Sequence, residues 1–507
     1  MNLHDLFAIA RHRFPGKPAL RFADSAAAVD LTYGQLFAEA DRLAVGFRAR
    51  GVKKGDRVAF FLSNRPEFVT AYLAVIRLGA VMVPINLAYR RREIAHMLAD
   101  ATPRLLLTEG AQLAVLDELS EEEKRGLEAV ILAEDLGGWS DDGSGLVPPL
   151  PSPIEEGDLA MILYTSGTTG RSKGAMISHG NVMATVTDLL VAWAWEPADA
   201  LLLTLPLFHT HGLVVGLHCA LAAGATVLLR RRFEAGAVAG ELLGGGASLF
   251  FGVPTMYVRL VDELRKVADR SALSRMRLFC SGSAPLAPET FEAFRELAGH
   301  DILERYGMTE TGMNLSNAYA GPRIPGSVGT PLPGVSARVV DAQGLDVFHG
   351  TEGELLVRGS NVFSGYWQAP EKTAESFLHD DLGRRWFRTG DLARQDPDSG
   401  IFTLLGRRSE LIISGGFNIY PREIEEMLTS FPGVKEAAVV GRPHAEWGEV
   451  PEAFLVTAPE VAEIDTAELI AWCRGQLAAF KVPRTIRFVD VLPRNALGKV
   501  QKHLLPA

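Results

Sequence analysis

The chain has 507 residues, of which 47% are hydrophobic and 22% are charged. This length exceeds what one hydrophobic core usually holds and predicts at least two domains, while the average composition argues against a disordered or fibrous chain. The net charge of −10 disfavours a general nucleic-acid binder. Cys219, Cys280 and Cys473 are widely separated, which disfavours a disulfide framework or a zinc site and fits a reducing compartment.

Strands and helices are predicted to alternate in the N-terminal part of the chain. Thr32 is expected to cap a helix that stops at Gly51. A strand over residues 58–62, a helix over 68–78 and a strand over 81–85 are expected to follow. Such alternation predicts an α/β fold with a mainly parallel sheet that is covered by helices.

The sequence does not have the pattern of an exported or membrane-spanning protein. The N-terminus carries an acid at Asp5 and lacks the uninterrupted apolar core of a signal peptide. The apolar run 213–229 is interrupted by His218 and by glycines, so it predicts a buried helix followed by a strand rather than a bilayer span. We therefore expect a cytoplasmic protein.

Changes in composition predict further boundaries along the chain. The proline-rich segment 147–153 indicates a subdomain boundary. Short strands such as 336–340 and 353–357 predict a small β-subdomain. A final α+β segment is expected from residue 406 onward.

A loop rich in glycine and hydroxyl residues follows a predicted strand at 159–164. Residues 165–174 read TSGTTGRSKG, in which the glycines let backbone N–H groups approach an anion and Lys173 supplies positive charge. The loop would lie at the carboxyl edge of a sheet, where α/β folds bind ligands. It is not a P-loop, because Ser172 and Gly174 stand where a glycine and a hydroxyl residue are required. Taken alone, the loop is compatible with phosphate binding and with a solvated turn.

Five motifs in the order found here resemble those of the adenylate-forming acyl-CoA synthetase superfamily. They are residues 165–174, ERYGMTE at 304–310, RTGD at 388–391, Gly406-Arg407, and PRNALGK at 493–499. The resemblance implies a large N-terminal domain of α/β subdomains plus a small β-subdomain at 1–405, a hinge at 406–410 and a mobile α+β domain at 411–507. It also implies an acid–thiol ligase that uses ATP, Mg²⁺ and coenzyme A and forms an acyl-AMP intermediate.

The resemblance assigns nucleotide-binding roles to residues of these motifs. Tyr306 is expected to stack on adenine, Thr309 to contact the α-phosphate, and Glu310 to bind Mg²⁺ as a hard oxygen ligand. Asp391 is expected to accept hydrogen bonds from the ribose hydroxyls, and Arg407 to contact ribose or phosphate. The other ATP- and AMP-binding candidates are Thr165, Ser166, Gly167, Thr168, Thr169, Gly170, Ser283, Ala284, Pro285, Glu304, Gly307 and Met308.

Catalysis is expected to depend on Lys499, together with Lys173, Thr309 and Glu310. Lys499 matches the family lysine that bridges the substrate carboxylate and the α-phosphate, where negative charge builds up during adenylation. The resemblance also implies that this lysine can be acetylated, which would remove its charge, so a lysine acetyltransferase that acts on Lys499 is an expected partner. After the hinge moves, residues Gly415 and Gly416 are expected to lie beside the coenzyme A tunnel.

Arg305, which directly precedes the predicted adenine-stacking residue Tyr306, indicates which acid is the substrate. Residues 206–213 and 304–311 resemble the malonyl-CoA synthetase branch of the superfamily. A buried guanidinium needs a partner, which a second substrate carboxylate would supply. The prediction is therefore malonate or methylmalonate. The alternative is that Arg305 pairs with Glu304 or another acid of the protein.

Two further residues are candidates for the acyl pocket. Arg259 is expected one turn into a helix capped by Thr255 and could form a second clamp, unless it too pairs with a protein acid. His209 is expected to shape the pocket or to pack in the core. The competing functions are a short- or medium-chain acyl-CoA synthetase, an enzyme that loads a carrier protein, a luciferase-like oxidase and a nucleotide-binding sensor.

Overall fold

The computed structural model of the chain describes residues 1–24, 27–139, 153–165, 172–414, 417–444, 447–461, 464–477, 481–495 and 498–506. Three predicted features lie wholly or mostly outside these residues. They are the proline-rich segment 147–153, the interior 166–171 of the glycine-rich loop, and the pair Gly415 and Gly416.

The helices and strands alternate along much of the chain. The helices are α1 (Leu3–Arg13), α2 (Tyr33–Ala49), α3 (Pro66–Arg77), α4 (Arg91–Ala101), α5 (Leu113–Asp117), α6 (His179–Ala192), α7 (Cys219–Ala223), α8 (Ala235–Leu243), α9 (Pro254–Arg265), α10 (Pro288–Ala298), α11 (Pro370–Glu375), α12 (Pro421–Thr429) and α13 (Thr466–Gln476). The strands are β1 (Pro18–Asp24), β2 (Ala27–Thr32), β3 (Arg57–Phe61), β4 (Val81–Pro84), β5 (Leu105–Thr108), β6 (Ala129–Leu132), β7 (Leu159–Thr165), β8 (Lys173–Ser178), β9 (Ala200–Leu203), β10 (Thr226–Leu229), β11 (Leu249–Gly252), β12 (Leu278–Ser281), β13 (Leu303–Met308), β14 (Gly312–Ser316), β15 (Ser327–Pro331), β16 (Val335–Val340), β17 (Glu352–Gly359), β18 (Gly365–Tyr366), β19 (Phe377–His379), β20 (Arg385–Gln395), β21 (Phe402–Arg407), β22 (Ile412–Ser414), β23 (Phe417–Ile419), β24 (Val434–His444), β25 (Gly448–Thr457) and β26 (Thr485–Phe488).

The chain forms two compact units. The first contains Met1–Pro325, Gly329–Ser336 and Val357–Phe387, and the second contains Gly326–Val328, Ala337–Leu356 and Arg388–Ala507. The predicted hinge at residues 406–410 lies inside the second unit. A single conformation does not show whether a segment acts as a hinge. The predicted division into an N-terminal domain at 1–405 and a mobile domain at 411–507 therefore stays a prediction.

Two sheets organise the first unit. One sheet has the order β2-β1-β10-β9-β11-β12-β13-β14, and its strands are parallel from β1 to β13. The other has the order β18-β8-β7-β4-β3-β5-β6 and is parallel from β7 to β6. The predicted α/β fold with mainly parallel sheets is therefore confirmed.

Local signals in the sequence explain several of these elements. Thr32 caps α2 and forms a capping box with Gln35, and Gly51 has a φ of 80° just beyond the helix. The apolar run 213–229 forms a π-helical segment over His211–His218, then α7 and β10, as expected for a buried helix followed by a strand. Among the described residues, no helix is long and apolar enough to cross a membrane.

A hydrophobic core holds β11 and β12 in register beneath the helices α8, α9 and α10. Phe250, Tyr257, Phe279 and Phe294 are fully buried in this core and contact one another edge to face. Truncating one such ring to alanine costs about 3–5 kcal/mol. The parallel register places Ser281 beside Gly252 and beside Glu304, so the carboxyl ends of β11, β12 and β13 form one edge where ligands bind in α/β folds.

The second unit contains mostly antiparallel strands. Strands β16, β17, β20 and β21 are neighbours in that order, and a separate sheet has the order β23-β22-β25-β24, with β26 parallel to β25. Helices α12 and α13 contribute Ile424, Leu428 and Leu469 to the core of the separate sheet. The predicted α+β character of the C-terminal segment is confirmed.

Candidate active site

The glycine-rich loop joins the two strands of an antiparallel hairpin. Thr165 at the end of β7 pairs with Lys173 at the start of β8, and β7 is parallel to β4, so Thr165 lies at the carboxyl edge of its sheet, as predicted. Lys173 and Gly174 belong to a strand rather than to the loop, which corrects the predicted extent of the loop. A Cβ on Gly174 would lie 2.6 Å from Ile162 Cγ2, so this glycine is required by packing.

Tyr366 connects the two predicted phosphate-site residues of the first unit. Strand β18 pairs with β8, and the Lys173 ammonium lies 5.6 Å from the centre of the Tyr366 ring. The Tyr366 hydroxyl donates a 3.0 Å hydrogen bond to Glu310 Oε1. One aromatic side chain therefore orients a cation through its ring and a carboxylate through its hydroxyl.

The ERYGMTE motif forms β13 and the tight turn into β14. Tyr306 is buried in β13, Thr309 is half-buried, and the Glu310 carboxylate is buried at the turn. A Cβ on Gly307 would lie 2.1 Å from the carbonyl oxygen of Gly312, so the hairpin can close only over glycine. The motif thus places its polar residues at the carboxyl edge formed by β11, β12 and β13.

Arg305 is buried next to the end of β12. Its Nε and Nη2 atoms have no hydrogen-bond partner among the described residues, and it makes no ion pair with any of them. Burial lowers the pKa of Arg305, because removal of water disfavours the charged form, while the neighbouring Cys280 thiol acts in the opposite sense. The predicted alternative, a pair between Arg305 and Glu304 or another protein acid, is not observed in the described part of the chain.

Gly282 lies directly against the Arg305 guanidinium. A Cβ at this position would be 2.4 Å from Arg305 Cζ and 2.5 Å from Nη1. The residues that follow Gly282, namely Ser283, Ala284 and Pro285, were predicted only as nucleotide-binding residues, so this contact adds a second role to the loop. The missing side chain makes the space in which the guanidinium lies.

Two histidines surround the same region. Ser283 Oγ lies 3.2 Å from His211 Nδ1, within hydrogen-bond distance, and Ser283 has a φ of 70°. The pKa of His211 is lowered well below its usual value, first by burial and then by Arg305. Burial also lowers the pKa of His209 to about 4. The Nε2 atoms of His209 and His211 and the hydroxyl of Ser281 have no hydrogen-bond partner in the described structure.

Arg259 lies in a different environment from Arg305. It is exposed on α9, and its guanidinium lies 5.2 Å from the centre of the Phe233 ring. Helix α9 begins at Pro254 with Val253 as its N-cap, so the prediction that Thr255 caps this helix is wrong. Proline suits the first helical position because its missing N–H has no intrahelical partner there. The role of Arg259 as a second clamp stays a prediction.

In the second unit, Asp391 and Arg407 form an ion pair across two antiparallel strands. They are register partners on β20 and β21, with Arg407 Nε 2.8 Å from Asp391 Oδ1. Arg407 Nη1 also donates to the carbonyl oxygen of Thr389 at 3.0 Å. Two predicted ribose-site residues therefore hold each other in place.

Lys499 belongs to the same unit, and its backbone is hydrogen-bonded to Asn495. Asn495 Oδ1 accepts a hydrogen bond from the Lys499 N–H at 2.9 Å, and Gly498 has a φ of 77°. The pKa of Lys499 is lowered by the limited hydration of its ammonium and then by Arg407, whereas Glu410 and Asp391 act in the opposite sense. The residue as a whole is exposed. Lys499 therefore lies within electrostatic range of Asp391 and Arg407.

Known proteins are similar to this chain over nearly its whole length. The AMP-binding enzyme family matches residues 7–367, and the AMP-binding enzyme C-terminal domain matches residues 423–499. The chain belongs to this family. It is an adenylate-forming acyl-CoA synthetase, that is, an AMP-forming acid–thiol ligase, and it is similar to malonyl-CoA synthetases.

Relatives of the synthetase act on different acids. A feruloyl-CoA synthase from Amycolatopsis sp. is 38% identical over 93% of this chain and 92% of its own length. The mitochondrial malonate–CoA ligase ACSF3 of Mus musculus is 36% identical over 96% and 88%, and a sulfoacetate–CoA ligase of Cupriavidus necator is 36% identical over 99% and 96%. The crystal structure of ATP-bound MatB from Rhodopseudomonas palustris superposes with a TM-score of 0.90 at 39% identity, covering 99% and 98% of the two chains.

The synthetase uses ATP, Mg²⁺ and coenzyme A. Within the described residues, no cluster of three or more acidic, histidine or cysteine side chains could hold a metal by itself. Glu310 offers a buried carboxylate whose Oε1 is oriented by Tyr366. This arrangement fits Mg²⁺, which takes one or two protein carboxylates and completes its shell with phosphate oxygens and water.

Three features of the site were not predicted from the sequence of the synthetase. Tyr366, His211 and the role of Gly282 emerged only from the structure. His211 lies within the segment 206–213, but its position in the sequence gives no indication of a contact with Ser283. Candidates within 166–171 and the pair Gly415 and Gly416 lie outside the described residues.

Proposed function

We propose that the enzyme converts malonate, or the closely similar methylmalonate, to its coenzyme A thioester with release of AMP and pyrophosphate. The observation that supports this proposal is the buried guanidinium of Arg305, two of whose nitrogens have no partner among the described residues. A buried charge without a partner is costly, whereas a bidentate carboxylate satisfies a guanidinium well.

The surroundings of Arg305 favour an anionic group on the acid. Neutral His211 and His209, together with Ser281, offer additional polar atoms without described partners, and Gly282 provides the space for the guanidinium. An alkyl chain would leave these groups unsatisfied in a buried site. Malonate carries one carboxylate for adenylation and a second one for this region.

In the proposed first half-reaction, one malonate carboxylate attacks the α-phosphorus of ATP in line and pyrophosphate leaves. Lys173 neutralises charge on the phosphates, while Glu310 would hold Mg²⁺, which neutralises charge on the polyphosphate. Lys499 stabilises the negative charge between the attacking carboxylate and the α-phosphate. Asp391 and Arg407 would position the ribose.

In the proposed second half-reaction, the thiolate of coenzyme A attacks the acyl carbon of malonyl-AMP and displaces AMP. The enzyme needs no nucleophile of its own for this exchange. Motion at the hinge 406–410 would withdraw Lys499 and bring Gly415 and Gly416 to the thiol tunnel. Gly406 has a φ of 140°, and no atom lies within 4 Å of a Cβ built on it, which supports a change of backbone torsion at this position.

A substrate panel tests the proposed acid. Pyrophosphate release is measured with malonate, methylmalonate, sulfoacetate, acetate, butyrate, octanoate and ferulate, and kcat/KM is compared. Malonate or methylmalonate is expected to have the highest value, because each places a second carboxylate near Arg305. A highest value for octanoate or ferulate would contradict the proposal and favour a monocarboxylate substrate.

The thiol acceptor is tested separately. Free coenzyme A is compared with a phosphopantetheinylated carrier protein as acceptor for the preformed acyl-adenylate. Thioester formation on coenzyme A supports the proposal, whereas transfer only to the carrier protein would contradict it. The absence of ATP–pyrophosphate exchange with every acid would instead favour a nucleotide-binding sensor.

Two predictions about the cell biology of the enzyme are also proposed. Lys499 is exposed, and its acetylation would remove the charge on which adenylation depends. Mass spectrometry of the native protein under varied growth conditions tests for acyl-Lys499, and its absence under all of them would contradict this regulation. A cytoplasmic location is proposed from the sequence and is tested by fractionation.

A further inference from the structure

The carboxylates that act on Lys499 already have other cations as partners. Asp391 pairs with Arg407 at 2.8 Å, and Glu410 pairs with the Lys502 ammonium at 3.1 Å. Among the described residues, Lys499 itself makes no ion pair. Its ammonium is therefore available to a substrate, as adenylation requires.

Lys502 is held firmly between two acids of the second unit. Its ammonium lies 3.1 Å from Glu410 Oε2 and 2.8 Å from Glu425 Oε1, and only 17% of its side chain is exposed. Glu425 Oε1 also accepts a 2.7 Å hydrogen bond from the Val439 N–H, which fixes this carboxylate on the sheet. The two acids outweigh the effect of burial, so that the pKa of Lys502 is raised. Lys502 thus stays charged and in place.

Glu410 pairs with Lys502, which stands three residues after Lys499 in the chain. It belongs to the 3₁₀ turn Arg408–Glu410 in the predicted hinge, and it acts electrostatically on the Lys499 ammonium. Lys502 lies in the turn Lys502–Leu504, which closely follows Lys499 in the chain. Without Lys502, the partly buried carboxylate of Glu410 would lack its cation, and the Lys499 ammonium could take that place.

We propose that Lys502 is a positioning residue for adenylation, because by pairing with Glu410 it keeps the Lys499 ammonium free for the reacting carboxylate. The proposal rests on the proposed role of Lys499. It assigns no contact with substrate to Lys502. It predicts that loss of Lys502 acts through Glu410 and is reversed when that carboxylate is neutralised.

A double-mutant cycle on the full-length enzyme tests this inference. ATP–pyrophosphate exchange with malonate, or with the best acid of the substrate panel, is expected to fall at least tenfold in Lys502→Met. Lys502→Arg should stay within about threefold of the wild type because it keeps the charge. The double variant Lys502→Met/Glu410→Gln should recover most of the lost exchange, an effect that simple structural damage at residue 502 would not produce.

Lys481→Met is the matched control in the same unit. Lys481 contacts both oxygens of Glu423 at 2.7 Å and has 22% of its side chain exposed, similar to Lys502, but Glu423 is not among the groups that shift the pKa of Lys499. Exchange in this variant is expected to stay within about twofold of the wild type. An equal loss in Lys481→Met and Lys502→Met would overturn the inference.

Further outcomes separate this inference from the proposed function. Glu410→Gln alone should keep exchange within about twofold, and this measurement decides the matter even if Lys502→Met does not fold. A tenfold loss in Glu410→Gln, or no recovery in the double variant, would overturn the role of Lys502 while leaving the ligase reaction intact. Wild-type enzyme without exchange on any acid would overturn both.

Discussion

A methyl group added at Gly282 should disturb the proposed recognition of the second carboxylate without touching the adenylation chemistry. In Gly282→Ala the new Cβ would lie 2.4 Å from Arg305 Cζ, whereas ordinary van der Waals contact begins at 3.4 Å. The guanidinium must therefore retreat by about 1 Å, a distance that breaks a bidentate hydrogen bond.

The size of the effect follows from the strength of the interaction that is lost. Hydrogen bonds to charged groups contribute about 1.5–3 kcal/mol, which corresponds to a loss of about tenfold to a hundredfold in kcat/KM for malonate. Acetate lacks the second carboxylate, so its kcat/KM should change by less than about threefold. The ratio of the two values is therefore the informative quantity.

The assay is pyrophosphate release with malonate and acetate, combined with a thermal unfolding curve for each variant. Gly240→Ala in α8 is the matched control, because no atom lies within 4 Å of the added methyl group. It should leave the selectivity ratio unchanged. A folded Gly282→Ala variant that keeps the wild-type preference for malonate would refute the assignment of Arg305 to the second carboxylate.

Three other perturbations test separate parts of the site and the fold. Lys499→Ala should lower the rate of adenylation by at least a hundredfold and leave thioester formation from supplied acyl-AMP nearly unchanged; parallel loss of both half-reactions would show that the lysine is misassigned. Tyr366→Phe removes the hydrogen bond to Glu310 but keeps the ring, so exchange should fall about tenfold with a raised Mg²⁺ requirement, whereas an unchanged Mg²⁺ titration would contradict this role. Burial lowers the pKa of His218 to about 3, so on acidification the unfolded chain binds a proton at this histidine before the folded protein does. The contribution of neutral His218 to the free energy of unfolding is therefore complete above pH 6.5 and falls as the pH drops toward 3. His218→Phe should therefore reduce the slope of unfolding free energy against pH between 4 and 6 by up to about 1.4 kcal/mol per pH unit, as measured by urea denaturation, and an unchanged slope would exclude this histidine as the cause.

Local patterns in the sequence were sufficient for much of the fold. Helix α2 was predicted from its cap at Thr32 and the stop at Gly51, because capping depends on residues that are adjacent in the chain. The cap of α9 was predicted at the wrong residue, since Pro254 and Val253 were not recognised as its first turn. Such errors concern element ends, where neighbouring residues compete for the same backbone groups.

Strand pairing decided the contacts that the sequence did not reveal. Lys173, Glu310 and Tyr366 are far apart in the chain and meet because β18 pairs with β8 and the β13–β14 turn lies nearby. The spacing of residues within one element carries no information about which strand becomes its neighbour. A tyrosine after Gly365 therefore looked like any residue of a short strand.

The sequence alone determined the chemistry of this enzyme, because its motifs are short segments whose residue types suit phosphate, ribose and carboxylate groups. Only the tertiary structure decided how the charges are paired. It left two nitrogens of Arg305 without described partners beside Gly282, and it paired Asp391 with Arg407 and Glu410 with Lys502. Whether a charged side chain is available to a substrate depends on burial and on neighbours from distant parts of the chain, and these arise only when the chain folds.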